Sequence, residues 1–132
     1  NEERHCVCGN RDCIETYAGG RELSNIAQRH GRPIATIFSA GGGSEALQKD
    51  LRRYIRFQAF AVVTGIVLLE PNVVVIGGGV TAMQDYPHQE LLGDIRSHLP
   101  SNWDGTNISI HWAHPVDQAL LAAPQLFQKR EQ

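Results

Sequence analysis

The sequence predicts an α/β fold, and three observations carry the prediction. Val73-Val74-Val75-Ile76 is an unbroken β-branched run, the pattern of a strand covered on both faces in a parallel or mixed sheet. Leu47, Leu51, Tyr54, Ile55, Ala59, Val62, Val63 and Ile66 recur every three or four residues, which makes Glu45 to Leu69 one long amphipathic helix. Ile108 to Trp112 alternates apolar and polar residues as a second strand. At 132 residues, with 42% hydrophobic and 20% charged residues, the chain can bury one modest core.

In chain order, the first stretch is His5-Cys6-Val7-Cys8-Gly9-Asn10-Arg11-Asp12-Cys13-Ile14-Glu15, which holds all three cysteines. Thr16 to Gly20 is a short bridge whose small residues suit close backbone packing. Arg21 to His30 is a short helix, with Leu23, Ile26 and Ala27 on its apolar stripe. Gly31 caps it and Pro33 stops it. Ile34, Ile37 and Phe38 predict one or two further turns. Ala40 to Gly43 is a linker, since it lacks the preceding strand and the lysine of a phosphate loop. Ser44 is a suitable N-cap for the long helix. The second half of that helix is apolar nearly all round and is expected to be buried, with Gly65 against a neighbour. Arg52, Arg53 and Arg56 form a solvated face, and Glu70-Pro71-Asn72 ends the helix.

Gly77-Gly78-Gly79 follows the Val73–Ile76 strand at once. Two readings are open: a turn that lets a ligand reach free backbone amides, or a plain tight strand-to-helix turn. His88 to Leu99 is another amphipathic helix, and Val116 to Phe127 a last one interrupted by Pro124. His111 and His114 do not make a metal pair, because residues three apart in a strand point to opposite faces.

Net charge is -2, with no basic run, so nothing here draws the segment to nucleic acid. The longest apolar run, Val73 to Val80, is far too short to span a bilayer, and no signal peptide opens the chain. The expected compartment is the cytoplasm. Few cysteines in a reducing compartment argue against a disulfide.

Thiolates are preferred ligands of structural zinc, which takes four N or S donors in a tetrahedron. Cys6 and Cys8 come from a hook in which Gly9 can take the required backbone angle, and Cys13 returns after a short loop. His5 is the only local candidate for the fourth donor, although its place directly before Cys6 is strained. The other readings are free thiols or a disulfide. Glu15 reads either as a ligand for vicinal hydroxyls or as an acid favoured by the first turn of a helix.

The cysteine stretch resembles the Cys-x-Cys-Gly-x-x-Gly-Cys-x-Glu motif of the ROK family of sugar kinases and sugar-responsive repressors. Cys6, Cys8, Gly9, Cys13 and Glu15 match it, and Asp12 stands where the family has glycine. Val-Val-Ile-Gly-Gly-Gly-Val, ending at Val80, resembles the family's nucleotide motif. Val80 to Met83 and Asp85 to Pro87 most resemble the allose kinase subgroup. The resemblance implies the C-terminal part of a ribonuclease H-like, actin-like sugar kinase fold with a zinc knuckle at its start. Residues 1–132 are then one ROK-type fragment: knuckle and bridge at 1–20, helices at 21–72, sheet and helices on the nucleotide side at 73–132.

By the same resemblance, Cys6, Cys8 and Cys13 hold zinc, with a fourth ligand from a histidine before Asn1. Glu15 contacts the sugar, and Gly77, Gly78 and Gly79 lie beside ATP. The implied activity is transfer of a phosphoryl group from Mg-ATP to a hexose hydroxyl. The family's catalytic aspartate lies in the preceding half, so the chain alone is expected to be inert. Asp117 to Ala122 departs from the family's Gly-Ala-Ala-Leu-x-Ala, and no nucleotide contact is assigned there. A repressor's sugar-sensing domain and a non-catalytic zinc-stapled scaffold remain the alternatives, and the apolar long helix allows a homodimer.

Overall fold

The computed structural model describes residues 3–39, 43–101 and 108–113. The expected helix from Val116 to Phe127, His114, and the Ala40–Gly42 part of the linker lie outside them. In order, the elements are α1 (Glu15–Ala18), α2 (Gly20–Arg29), a 3₁₀ turn (Ile34–Thr36), α3 (Glu45–Leu69), β1 (Val73–Ile76), α4 (His88–His98) and β2 (Ser109–Trp112). β1 and β2 pair in parallel, Val73 opposite Ser109 and Ile76 opposite Trp112, with α4 as the crossover. The α/β prediction holds, and the chain's bridge at Thr16 to Gly20 turns out to be mostly the single helical turn α1.

Local chemistry sets the helix ends. Gly31, at φ +59°, ends α2 in the left-handed region. Its N–H donates to the Gln28 carbonyl (3.1 Å), and Arg32 N–H reaches back to Ala27 (2.9 Å), the paired bonds of a Schellman cap. Ser44 Oγ accepts from Leu47 N–H at 3.2 Å at the start of α3. Glu70 ends α3 at φ +46°.

The core joins Leu23, Ile26 and Ala27 of α2 to Leu47, Leu51, Tyr54, Ile55, Ala59 and Ile66 of α3 and to Leu91 and Ile95 of α4. Each fully buried Ile or Leu contributes roughly 1.5–3 kcal/mol by leaving water. Val74, Ile76, Ile110 and Trp112 pack from the sheet onto that core.

Three expectations are corrected. β1 is covered on one face only: Val73 and Val75 are 56% and 63% exposed, because the pleat turns them away from the core and no described element lies over them. The second half of α3 is likewise only half covered, with Val67, Leu68 and Leu69 exposed (Leu69 78%). Among the described residues Gly65 meets no neighbour: a side chain there would have nothing within 4 Å. It lines an apolar groove of about 450 Å³ between α3 and β1.

Candidate metal centre and ligand sites

The knuckle folds through its backbone. Gly9 N–H donates to the Cys6 carbonyl (3.1 Å), closing a tight turn with Gly9 at φ +89°. Cys6 N–H donates to Asn10 (2.9 Å), and Asp12 N–H to Arg4 (2.8 Å). Asp12 sits at φ +53°, a left-handed conformation that glycine takes freely and aspartate tolerates better than most residues. Its carboxylate accepts from Arg4 N–H (3.1 Å) and Tyr17 Oη–H (2.7 Å). The aspartate thus holds a left-handed turn that glycine could also adopt, tied down by a side chain that glycine lacks.

These turns bring the sulfurs of Cys6, Cys8 and Cys13 within 4.8 Å of one another. Cys8 and Cys13 are 3.6 Å apart, close to the roughly 3.8 Å edge of a zinc–thiolate tetrahedron with bonds of about 2.3 Å. A hydrogen bond from the Asn10 backbone, then contacts with Cys6 and Cys13, hold the Cys8 thiol below its ordinary value. Cys13, sharing its proton with Cys8 and then Cys6, is pushed up to about 11. Thiol ligands bind metal as thiolates, so a cation held here would displace their protons. Donor type and spacing both fit zinc with three ligands from this chain. His5 is outside the cluster: it is exposed and pairs with Arg11 in an antiparallel bridge.

Glu15 opens α1 two residues after Cys13. It is exposed, and among the described residues its carboxylate has no hydrogen-bond or ion-pair partner. The Glu15 carboxylate lies over Gly19: a Cβ there would collide with Glu15 Oε1 and fall 2.7 Å from the Glu15 carbonyl, so this position needs glycine. A polar cleft of about 600 Å³ flanks the knuckle, lined by Thr16 and Tyr17 but not by Glu15 itself.

The glycine turn is built differently. Ala113 N–H extends the sheet ladder to the Ile76 carbonyl (2.8 Å). A Cβ on Gly77 would lie 2.6 Å from that of Ala113, so this position needs glycine for close approach. Gly78 sits at φ +126°. Neither Gly78 nor Gly79 N–H has an acceptor among the described residues. Downstream, Tyr86 packs on Phe38 (5.2 Å) and His88 (4.9 Å), and His88 on Trp112 (4.4 Å), which anchors the segment after the turn.

The two regions meet. Gly20, five residues after Glu15, lies 3.7 Å from Val80 Cγ2 by its projected Cβ. Gln58 of α3 also joins them: its Nε2 donates to the Ala18 carbonyl (3.2 Å), and its Oε1 accepts from Tyr86 Oη–H (2.6 Å). Sequence reasoning missed Gln58, Arg4 and Glu22. The signals were a polar residue inside an apolar helix half, and a glutamate four residues before Ile26 on the buried stripe of α2.

The ROK family profile matches residues 1–130. N-acetylmannosamine kinase of Escherichia coli is 30% identical over 126 residues, covering 93% of this chain and 42% of that protein. N-acetyl-D-glucosamine kinase of Pasteurella multocida is 31% identical over 90 residues, covering 65% of this chain and 29% of that protein. The chain therefore spans less than half the length of these relatives. Its fold resembles the ROK hexokinase of Thermus thermophilus, with TM-score 0.70 and 24% identity, over 88% of this chain and 40% of that one. It also resembles a ROK family transcriptional regulator homologous to the E. coli MLC protein, with TM-score 0.69 and 20% identity, over 97% of this chain and 36% of that one. With its profile matched almost end to end and two sugar kinases among its relatives, the chain belongs to the ROK family.

Proposed function

We propose that the chain is the zinc-knuckle and nucleotide-side part of an ATP-dependent hexose kinase with a ribonuclease H-like, actin-like fold. One observation carries the reading. An exposed Glu15, without a partner among the described residues, lies two residues after a three-thiol cluster, and Gly20 at the start of α2 lies close to Val80, the residue after the Gly77–Gly79 turn. A carboxylate held on a metal-stapled knuckle suits vicinal hydroxyls, and open glycine amides suit a nucleotide. Zinc on Cys6, Cys8 and Cys13 supplies a crosslink, not chemistry. Phosphoryl transfer from Mg-ATP depends on positioning, charge stabilisation and a base. That base, an aspartate in the family, belongs to the preceding half, so the chain alone is inert and residues 1–132 act as one fragment. Val80 to Met83 favours D-allose; the kinases named above point to N-acetylmannosamine and N-acetylglucosamine.

The test is ADP release by the intact protein with Mg-ATP and D-allose, D-glucose, N-acetylmannosamine or N-acetylglucosamine. Turnover on one sugar supports the kinase, and Glu15→Gln then raises the sugar KM about 10- to 100-fold by removing charge-assisted hydrogen bonds. Sugar-dependent thermal stabilisation without turnover would replace it with the repressor reading, with which the likeness to a ROK regulator is compatible. ADP release by residues 1–132 alone would refute the inert-fragment claim.

A further inference from the structure

Arg4 grips α1 from outside. Its Nη1 donates to the Thr16 carbonyl at 2.6 Å, and its guanidinium forks onto Glu22, with Nη1 2.9 Å from Oε2 and Nη2 3.3 Å from Oε1. The same group stacks over the Tyr17 ring, 4.3 Å from its centroid. Glu22 is 7% exposed and lies on the buried stripe of α2. The Arg4 backbone is itself bonded both ways to Asp12.

α1 needs such support. It has four residues, no side-chain cap and no buried residue. One helical turn does not hold itself together in water, and its last carbonyls have no partner within the helix. Arg4 takes the carbonyl of Thr16, and Gln58 takes that of Ala18. Thr16 in turn bonds back to the Cys13 carbonyl through its N–H (2.9 Å) and its hydroxyl (2.7 Å).

We propose that Arg4 is a positioning residue for Glu15: by fixing α1 against Glu22 and the knuckle, it aims the Glu15 carboxylate at a polyhydroxyl ligand. This rests on the sugar-binding role of Glu15. A lysine supplies the charge but cannot span the Thr16 carbonyl and both Glu22 oxygens in one plane.

Arg4→Met and Arg4→Lys in the intact protein test it. The readouts are zinc content, calorimetric Kd for the sugars above without ATP, and the KM values for sugar and ATP. Both variants are expected to keep zinc and the KM for ATP, and to weaken sugar binding about tenfold or more. Millimolar guanidinium should restore part of the loss in Arg4→Met and none in Arg4→Lys. Sugar binding that is unchanged, or sugar and ATP binding weakened equally, would overturn the inference. So would loss of zinc together with sugar, which would place the role of Arg4 in the knuckle. Wild-type protein that binds none of these sugars would overturn the role of Glu15 and this inference with it; wild-type binding with unaffected variants would overturn this inference alone.

Discussion

The knuckle and the glycine turn hold backbone in special conformations by opposite means. The knuckle has no core of its own: Val7 is 87% exposed, Cys8 is exposed, and α1 buries nothing. Polar bonds to Asp12, Arg4 and Thr16 shape it, and three sulfurs lie within 4.8 Å of one another. The glycine turn hangs on the end of a strand and is braced by Ala113, Tyr86, His88 and Trp112. One region is ordered by polar groups around a cluster of three thiols, the other by packing. Removing metal and removing bulk should therefore act on different regions.

The largest expected effect is on the knuckle. Cys8→Ser, or chelation of the wild type, should take bound zinc from about one per chain to near zero and lower the melting temperature, since structural zinc sites contribute folding free energy directly. Helical circular dichroism from α3 and α4 should persist, because their core contains no knuckle residue. Unchanged zinc content in Cys8→Ser would remove the metal assignment. Next comes the core: Ile55→Ala, at 0% exposure, should cost about 2–5 kcal/mol by denaturant melt and leave zinc stoichiometry intact. Val75→Thr on the bare face of β1 should stay within about 0.5 kcal/mol of wild type. If Val75→Thr costs as much as a core change, another surface covers β1.

The same contrast explains what the sequence could disclose. Cysteine spacing is chemistry written into residue types, so the sulfur cluster was legible before any fold. Helix ends at Ser44 and Gly31 were legible because capping is local. The coverage of β1 was not, since a β-branched run states what a strand can bury and not what lies over it. The isolation of Gly65 was hidden for the same reason. Arg4, Glu22 and Gln58 escaped because their roles depend on partners 12 to 40 residues away. Asp12 stood in the sequence only as a departure from a glycine position. Its side-chain anchors became visible only once Tyr17 and Arg4 were placed.

A smaller effect separates the glycines of the turn. Gly77→Ala should cost roughly 1–3 kcal/mol because Ala113 leaves no room, while Gly79→Ala, facing open space, should stay within about 0.5 kcal/mol. Equal costs would mean that the approach of Ala113 does not constrain the turn.

The smallest effect tests whether the knuckle tolerates Asp12 for its backbone or for its side chain. Asp12→Gly removes the carboxylate that Tyr17 and Arg4 hold, but lets the backbone take φ +53° without strain. Asp12→Ala removes the same carboxylate and keeps the strain. If conformation dominates, Asp12→Gly should match or exceed the wild type, with Asp12→Ala melting a few degrees lower and exchanging zinc faster. If the anchors dominate, both variants should fall together below wild type. The second result would mean that the Asp12 carboxylate, held by Arg4 N–H and Tyr17 Oη–H, stabilises this turn by more than its left-handed backbone costs.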